Sequence, residues 1–362
     1  MEHGISFLIP VSDARFSSMM RTNAFCIMLR RDLGIALRYI HSHLFTHRPF
    51  ILTHAVTGQC NCSCRICDTW RRPPDPSEMT TQEIFSLLDQ AADARFAAYV
   101  AFGGEPLMRA DIVEVLAHAR DKRLYTILIT NGALLEEMAE DLAPCTDLTI
   151  VSLDDTGQGH DTARATPGLF DAAAAGIAAM QRQHARVMLN CVVSRFSPGG
   201  AGRVLGYACQ HGLRVAFDPM ELFPGVNDEG MTPPEEKKEI FTYLCREKAA
   251  GAPILNSAEF LQHQYAPRAY SCAQARIFLR VGADGAVRPF WCQKNASLLG
   301  NVRTHRLSDI LSSPSWKEFD AVAEGCSRCT NSSTVESSLF YSAGFWASRR
   351  YIRFAADYAW HR

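Results

Sequence analysis

Between residues 51 and 218 the chain alternates short runs of apolar and β-branched residues with longer stretches of helical periodicity, and this alternation restricts the fold more than any other feature. The short runs fall at 51–56, 97–102, 125–129, 148–153, 186–193 and 214–218. Helical spacing covers 80–95, 110–122, 134–142, 169–184 and 202–211 between them. Thr80-Thr81-Gln82-Glu83 predicts a capping box at one helix start, and Gly212 a C-cap at one helix end. Six β–α units predict a parallel sheet joined by right-handed crossovers. Six is fewer than the eight of a closed barrel, so the expected fold is α/β, a partial (β/α)6 TIM-type barrel. Its reactive site should lie at the carboxyl ends of the strands.

Composition narrows the class of molecule. The chain has 362 residues, which allows two domains or one α/β barrel with additions. A hydrophobic share of 47% excludes a mostly disordered chain. With 37 Lys+Arg against 38 Asp+Glu, bulk electrostatic binding of nucleic acid is not expected. No apolar run approaches the ~20 residues of a spanning helix. Met1 to Pro10 lacks the basic start and cleavage site of a secretory signal. Thirteen cysteines without export point to a reducing compartment, where clustered thiols mean metal or redox chemistry, so a cytoplasmic location is expected.

Four segments follow from the punctuation: an extension at 1–49, the barrel at 50–232, a smaller α+β unit at 233–331, and a tail at 332–362. The extension holds an amphipathic helical pattern at 21–48 with a basic face of Arg21, Arg30, Arg31, Arg38 and Arg48. A Pro- and Gly-rich stretch at 224–234 marks the end of the barrel, and a charged helix at 235–248 follows. Within the smaller unit, 276–281 and 287–291 read as two strands around an Asp284-Gly285 turn. The tail from Leu339 onward is rich in aromatics and arginines. Two readings of the chain ends stand: a surface for peripheral association with an anionic membrane or an amphiphilic substrate, or ordinary packing of two terminal helices on the barrel.

Immediately after the first strand stands Cys60-Asn61-Cys62-Ser63-Cys64-Arg65-Ile66-Cys67. Disulfides would not bunch four thiols this way. Zinc would take Cys64 and Cys67 with a second pair such as Cys326 and Cys329. An iron–sulfur cluster would take Cys60, Cys64 and Cys67 and leave one iron open. Thiol counting leaves both readings standing.

Phe102-Gly103-Gly104-Glu105-Pro106 follows the second strand, Thr130-Asn131-Gly132 the third, and Ser152-Leu153-Asp154 ends the fourth. Together with the C-x3-C-x2-C loop, these segments make residues 50–220 resemble the radical S-adenosylmethionine (radical SAM) superfamily. The resemblance implies a 4Fe–4S cluster on Cys60, Cys64 and Cys67, with its open iron chelated by SAM. It implies reductive cleavage of SAM to a 5′-deoxyadenosyl radical, which abstracts hydrogen from an unactivated C–H. Cys62 breaks the family spacing and is expected not to be a ligand. On the same basis Gly103, Gly104 and Pro106 form the turn that approaches the methionine amine, and Glu105 pairs with that amine. Ile66 touches the adenine, Asn131, Ser152 and Asp154 join the cofactor set, and Arg164 meets the SAM carboxylate. Asn190, Phe217 and Met220 are nucleoside contacts or sheet core.

Cys272, Cys292, Cys326 and Cys329 remain in the smaller unit, beside Gly285, Gly300 and a helical run at 316–322. This resembles the SPASM or twitch extension of radical SAM enzymes and implies a second 4Fe–4S cluster saturated by four thiolates. A structural zinc on the same thiols is the other reading. The implied enzyme is an oxidoreductase or transferase acting on a lipid, peptide or small-molecule precursor, served by an external donor such as ferredoxin or flavodoxin. The alternative is a zinc-stabilised binding or scaffold protein on an α/β core. Cys26, Cys145, Cys191, Cys209 and Cys245 read as packed thiols, and His41, His43 and His47 as solvated helix-end residues or metal ligands.

Overall fold

The computed structural model describes residues 40–71, 77–289 and 297–342, with Gly34, Leu37, Arg38, Pro73, Asp75 and Cys292 besides. Six parallel strands lie side by side in chain order: β1 (Ile51–Thr57), β2 (Ala98–Gly103), β3 (Tyr125–Thr130), β4 (Leu148–Ser152), β5 (Val187–Val193) and β6 (Arg214–Pro219). β6 is one edge of the sheet, so the barrel is open, as six units predict. Each predicted strand and helix of this region is present, with no end shifted by more than two residues; a short helix, Gln158–Ala163, is added after β4.

The capping box at the first barrel helix, Thr81–Asp93, is formed: Glu83 N–H donates to Thr80 Oγ1, and Thr80 N–H donates to Glu83 Oε2 at 2.8 Å. That helix buries Ile84, Leu87, Leu88 and Ala91, a 3.6-residue stripe, in one cluster with Leu52, Val56 and Tyr99 of the sheet. Truncating any of its leucines to Ala should cost about 2–5 kcal/mol, the usual range for a buried site that cannot collapse.

Burial alternates along the strands. The side facing the helices is closed: Leu128, Val151, Leu189, Cys191, Val215 and Phe217 are fully or nearly fully buried. On the other side Ala55, Phe102, Ile127, Ile129, Ile150, Ser152, Asn190, Val192, Ala216 and Asp218 are only half-buried. A floor of Ala98, Tyr125, Leu148, Met188 and Leu255 closes the amino-terminal end. The concave side is therefore a lumen with a floor, unlike the packed interior of a closed eight-stranded barrel.

The predicted hairpin is β7 (Phe278–Val281) and β8 (Ala286–Arg288), with Gly285 at φ +78° in its turn. It does not form a sheet of its own. β7 lies parallel to β1, pairing Ile51 with Phe278 and His54 with Val281, and β8 and β9 (Gly300–Asn301) continue antiparallel. The nine-stranded order is β6-β5-β4-β3-β2-β1-β7-β8-β9. The hairpin is aimed by β1, and that long-range pairing leaves no local sequence signal. Helices Leu307–Ser312, Pro314–Glu324 and Ser332–Ser342 follow.

The basic helical pattern predicted at 21–48 lies outside the described residues up to residue 33. From there Gly34, Leu37, Arg38, Ile40 and His41 are helical, and a π-turn at Ser42–Thr46 ends the run. The tail beyond Ser342 also lies outside them. His47 Nδ1 meets Tyr341 Oη at 3.1 Å and the His43 ring stands edge-on to the same tyrosine, so both histidines pack against the helix Ser332–Ser342. Among the described residues no helix is long and apolar enough to cross a membrane.

Candidate active site and second thiol centre

The cysteine loop leaves the carboxyl end of β1 and is sewn to its surroundings by backbone hydrogen bonds. Gly104 N–H donates to Thr57 O at 2.9 Å and Glu105 N–H to Gln59 O at 2.7 Å. A Cβ at Gly104 would be driven into the Gln59 carbonyl, and one at Gly103, whose φ is +139°, into the Thr57 carbonyl. Both glycines are therefore required for the turn after β2 to lie against the loop. Further along, Arg65 N–H donates to Ala163 O, Trp70 Nε1 to Cys64 O, and Asn227 Nδ2 to Ile66 O.

Cys60, Cys62, Cys64, Cys67 and Ile66 pack in one group with Leu169 and Ala133. Cys62 is 4% exposed and takes a hydrogen bond from Asn131 Nδ2 at 3.1 Å. Hydrogen bonding from Cys62 holds the Cys60 thiol down at about 7 and draws Cys64 below the usual thiol range, while Cys62 itself is pushed up. The nearby Arg164 guanidinium lowers Cys60 and Cys64 further. The loop thus sets two easily ionised thiols beside a buried cation, together with a third at Cys67, which suits thiolate-bound iron. Among the described residues no three His, Cys, Asp or Glu side chains gather closely enough to hold a single metal ion.

Three of the expected cofactor contacts are occupied by protein groups. Glu105 is 1% exposed; its Oε1 accepts from Thr130 Oγ1 at 2.7 Å and Leu107 N–H at 3.1 Å, and Oε2 from Asn131 N–H at 2.7 Å. Burial raises its pKa, and these donors oppose the rise. The carboxylate joins the turn after β2 to the turn after β3. Arg164 donates from Nε to Asp154 Oδ2 at 2.8 Å, and Asp154 Oδ1 accepts from Val192 N–H at 2.9 Å. That buried pair ties the segment after β4 to β5. Ser152 and Asn190, paired in register, share the half-open lumen side, whereas Phe217 is fully buried among the helices. Pro106 starts a 3-10 turn and is buried.

The second thiol set is also brought together. Cys272, Cys292, Cys326 and Cys329 line one cavity of about 350 Å³, with Phe319 and Arg328 on its wall. Cys272 N–H donates to Cys326 O at 3.0 Å. The Tyr270 hydroxyl clamps the Cys329 peptide, donating to its carbonyl and accepting from its N–H, both at 3.0 Å. Burial pushes the Cys272 thiol up to about 11 and Cys329 up to about 12, so these thiols stay neutral without a metal's charge.

Sequence reasoning missed Tyr270, Asn227 and Glu78, whose carboxylate accepts from Gly58 N–H at 2.7 Å. None belongs to a spaced motif, and Asn227 sits in the Pro- and Gly-rich stretch read as a boundary. The acids Asp218, Glu221 and Glu336, all with pKa values raised by burial, were also not singled out.

Residues 55–194 match the family model of the radical SAM superfamily, and residues 272–330 that of the SPASM iron–sulfur cluster-binding domain. The AdoMet-dependent heme synthase of Methanosarcina barkeri is 32% identical over 293 residues, which cover 73% of this chain and 82% of that protein. The chain belongs to the radical SAM superfamily. As a radical SAM enzyme it uses a 4Fe–4S cluster and SAM, with further iron–sulfur chemistry in its SPASM domain. This excludes the zinc scaffold without SAM chemistry. A PqqA peptide cyclase of Granulibacter bethesdensis is 25% identical over 299 residues, covering 78% of this radical SAM chain and 79% of the relative. The solved structure of Streptococcus suis SuiB bound to S-adenosylmethionine superposes with a TM-score of 0.66 at 15% identity, over 87% of this chain and 75% of that one. That likeness shows the radical SAM barrel fold.

Proposed function

We propose that Cys60, Cys64 and Cys67 hold the cluster that engages SAM, with Cys62 outside the ligand set, and that Cys272, Cys292, Cys326 and Cys329 hold one auxiliary 4Fe–4S cluster. When bound, the first cluster supplies the electron that splits SAM into methionine and a 5′-deoxyadenosyl radical. The observation that carries this reading is the backbone seam between the cysteine loop and the Gly103–Glu105 turn, set above the half-open lumen. Gly103, Gly104 and Pro106 shape the approach to the methionine end of SAM, Ile66 and Asn190 flank its nucleoside, and Ser152 lies within reach of the ribose. Glu105, Asn131, Asp154 and Arg164 act as positioning residues, holding the strand-end turns and placing a positive charge beside the thiols.

The aliphatic lumen wall of Ile127, Ile129, Ile150, Val192 and Ala216 suits an unactivated C–H and keeps water from a carbon radical. The auxiliary site is suited to accept an electron from the substrate radical, which makes the net reaction an oxidation or a bond formation. The relatives are named for heme synthesis and for cyclisation of a peptide, so a flat cofactor precursor and a peptide both stand as substrate classes beside a lipid. Ferredoxin or flavodoxin is proposed as the electron source.

The test is anoxic reduction of the reconstituted enzyme with SAM. Wild type is expected to form 5′-deoxyadenosine and Cys64→Ala none. Cys329→Ala should retain SAM cleavage but lose substrate conversion. Normal product from Cys329→Ala would remove the auxiliary role.

A second reading concerns location. Leu37, Leu44 and Phe45 are 57%, 43% and 73% exposed on the segment that carries Arg38 and Arg48. An exposed apolar group beside arginines fits the surface of an anionic bilayer. Co-sedimentation with phosphatidylglycerol vesicles at low salt should exceed that with neutral vesicles; equal or absent pelleting would refute it.

A further inference from the structure

Several barrel helices end in the same closure before the next strand begins. Phe96 N–H donates to Ala91 O, Leu124 N–H to Ala119 O, Ala185 N–H to Met180 O and Leu213 N–H to Ala208 O. The residue before each donor is left-handed: Arg95 at φ +63°, Arg123 at +64°, His184 at +57° and Gly212 at +63°. Glycine is what this position calls for. Histidine visits the left-handed region more readily than most side chains, but arginine does not. The pull of an exposed helix end on a cation is weaker than the penalty of the left-handed backbone. Backbone and helix-end chemistry therefore account for Gly212 but not for Arg95 and Arg123.

These closures lie at the amino-terminal ends of the strands, opposite the cysteine loop. Ala97 N–H donates to Phe50 O at 2.7 Å and Tyr125 N–H to Ala97 O at 2.9 Å, which joins the entries to β1, β2 and β3 in one row. His47 and Arg48 precede β1, Arg95 precedes β2, and Lys122 and Arg123 precede β3, all of them exposed. Arg38 is near the same row: burial, and then the charge of Arg95, lower its pKa. Asp89 binds Lys122 and Asp147 binds Arg120, but among the described residues no carboxylate is bonded to Arg95 or Arg123. Asp93 and Asp121, exposed at the two helix ends, leave the row net basic. The segment that runs into His47 exposes Leu37, Leu44 and Phe45 beside it.

Basic side chains next to exposed leucine and phenylalanine match an anionic lipid surface, where apolar groups enter the headgroup boundary and arginines meet phosphates. A nucleic acid would meet the arginines but leave the apolar side chains in water. We propose that the amino-terminal face of the barrel docks on an anionic phospholipid bilayer, with Arg95 and Arg123 meeting headgroups beside Leu37, Leu44 and Phe45. The inference rests on the membrane reading above and gives it an orientation. The cysteine loop, at the opposite ends of the strands, then faces away from the bilayer, and the substrate approaches the SAM site from water.

The test uses the anoxically reconstituted full chain with vesicles of equimolar phosphatidylglycerol and phosphatidylcholine. Vesicles of phosphatidylcholine alone and a short DNA duplex are the comparisons. Wild type should pellet with the anionic vesicles at low salt. The double variant Arg95→Gly, Arg123→Gly suits the left-handed backbone, so its melting temperature should be unchanged or higher. Its binding to anionic vesicles should fall about tenfold or more, as the loss of two cations at a charged surface implies. Its formation of 5′-deoxyadenosine should match wild type. Phe45→Ser should weaken vesicle binding at low and high salt alike. A lower melting temperature in the glycine variant would make the arginines structural, and undiminished vesicle binding by either variant would remove the assigned face; each overturns the proposal. Wild type that ignores anionic vesicles, or prefers the duplex to them, refutes the membrane reading itself.

Discussion

Glu105 shows how far a motif carries. The Gly-Gly-Glu-Pro segment was legible because its order and its place after the second strand are sequence properties. The direction of its carboxylate was not, since a motif does not say which neighbours fold onto it. Its oxygens accept from Thr130, Leu107 and Asn131. Glu105→Gln would turn an NH2 group toward one of those donors, leaving buried donors unsatisfied. The expected cost is about 1–3 kcal/mol in urea unfolding, with slower 5′-deoxyadenosine formation. Unchanged stability would contradict the bridging role. Cys62 is similar: spacing marked it as the odd thiol, but only burial and the Asn131 contact show what holds it. For Arg164 the resemblance implies a contact to the SAM carboxylate, and its Asp154 partner, ten residues away, becomes visible only in the fold.

At the scale of elements, strands and helices of the barrel were readable because each has its own period and its own caps. The helix Ser332–Ser342 was not; its sequence is serine-rich and had read as the start of a tail. Tertiary contacts make it. Ser332 N–H and Oγ donate to Asp218 at 2.6 and 2.9 Å, Ala273 N–H donates to Ser338 Oγ at 3.0 Å, and Glu336 accepts from Ser257 N–H and Asn256 Nδ2. Burial pushes the Glu336 pKa up from 4.5 to about 7. The folded chain thus binds this proton more tightly than the unfolded chain. The contribution is complete below about pH 4.5 and is lost as pH rises through 7. Wild type should be about 2 kcal/mol less stable at pH 8 than at pH 5.5 from this group alone. Glu336→Gln should flatten that slope in urea titrations at the two pH values; an unchanged slope would assign it elsewhere.

For the molecule as a whole, composition and alternation gave the class, and the two cysteine sets gave its chemistry. What they withheld was the joint between the two parts, because β1–β7 pairing spans more than two hundred residues. Anoxically purified protein should contain about 8 Fe per chain if both thiol sets hold 4Fe–4S clusters. About 4 Fe with one Zn would make the Cys272 set structural instead. That joint also has a consequence for dissection. Hydrogen bonding passes from β6 through β1 into β9 without a break, so the hairpin arm is part of the barrel's own sheet and does not hang on a linker. Cutting the arm away would not yield a minimal catalyst; it would bare a flank of β1, an adhesive strip of unpaired peptide groups where one barrel would stick to the next.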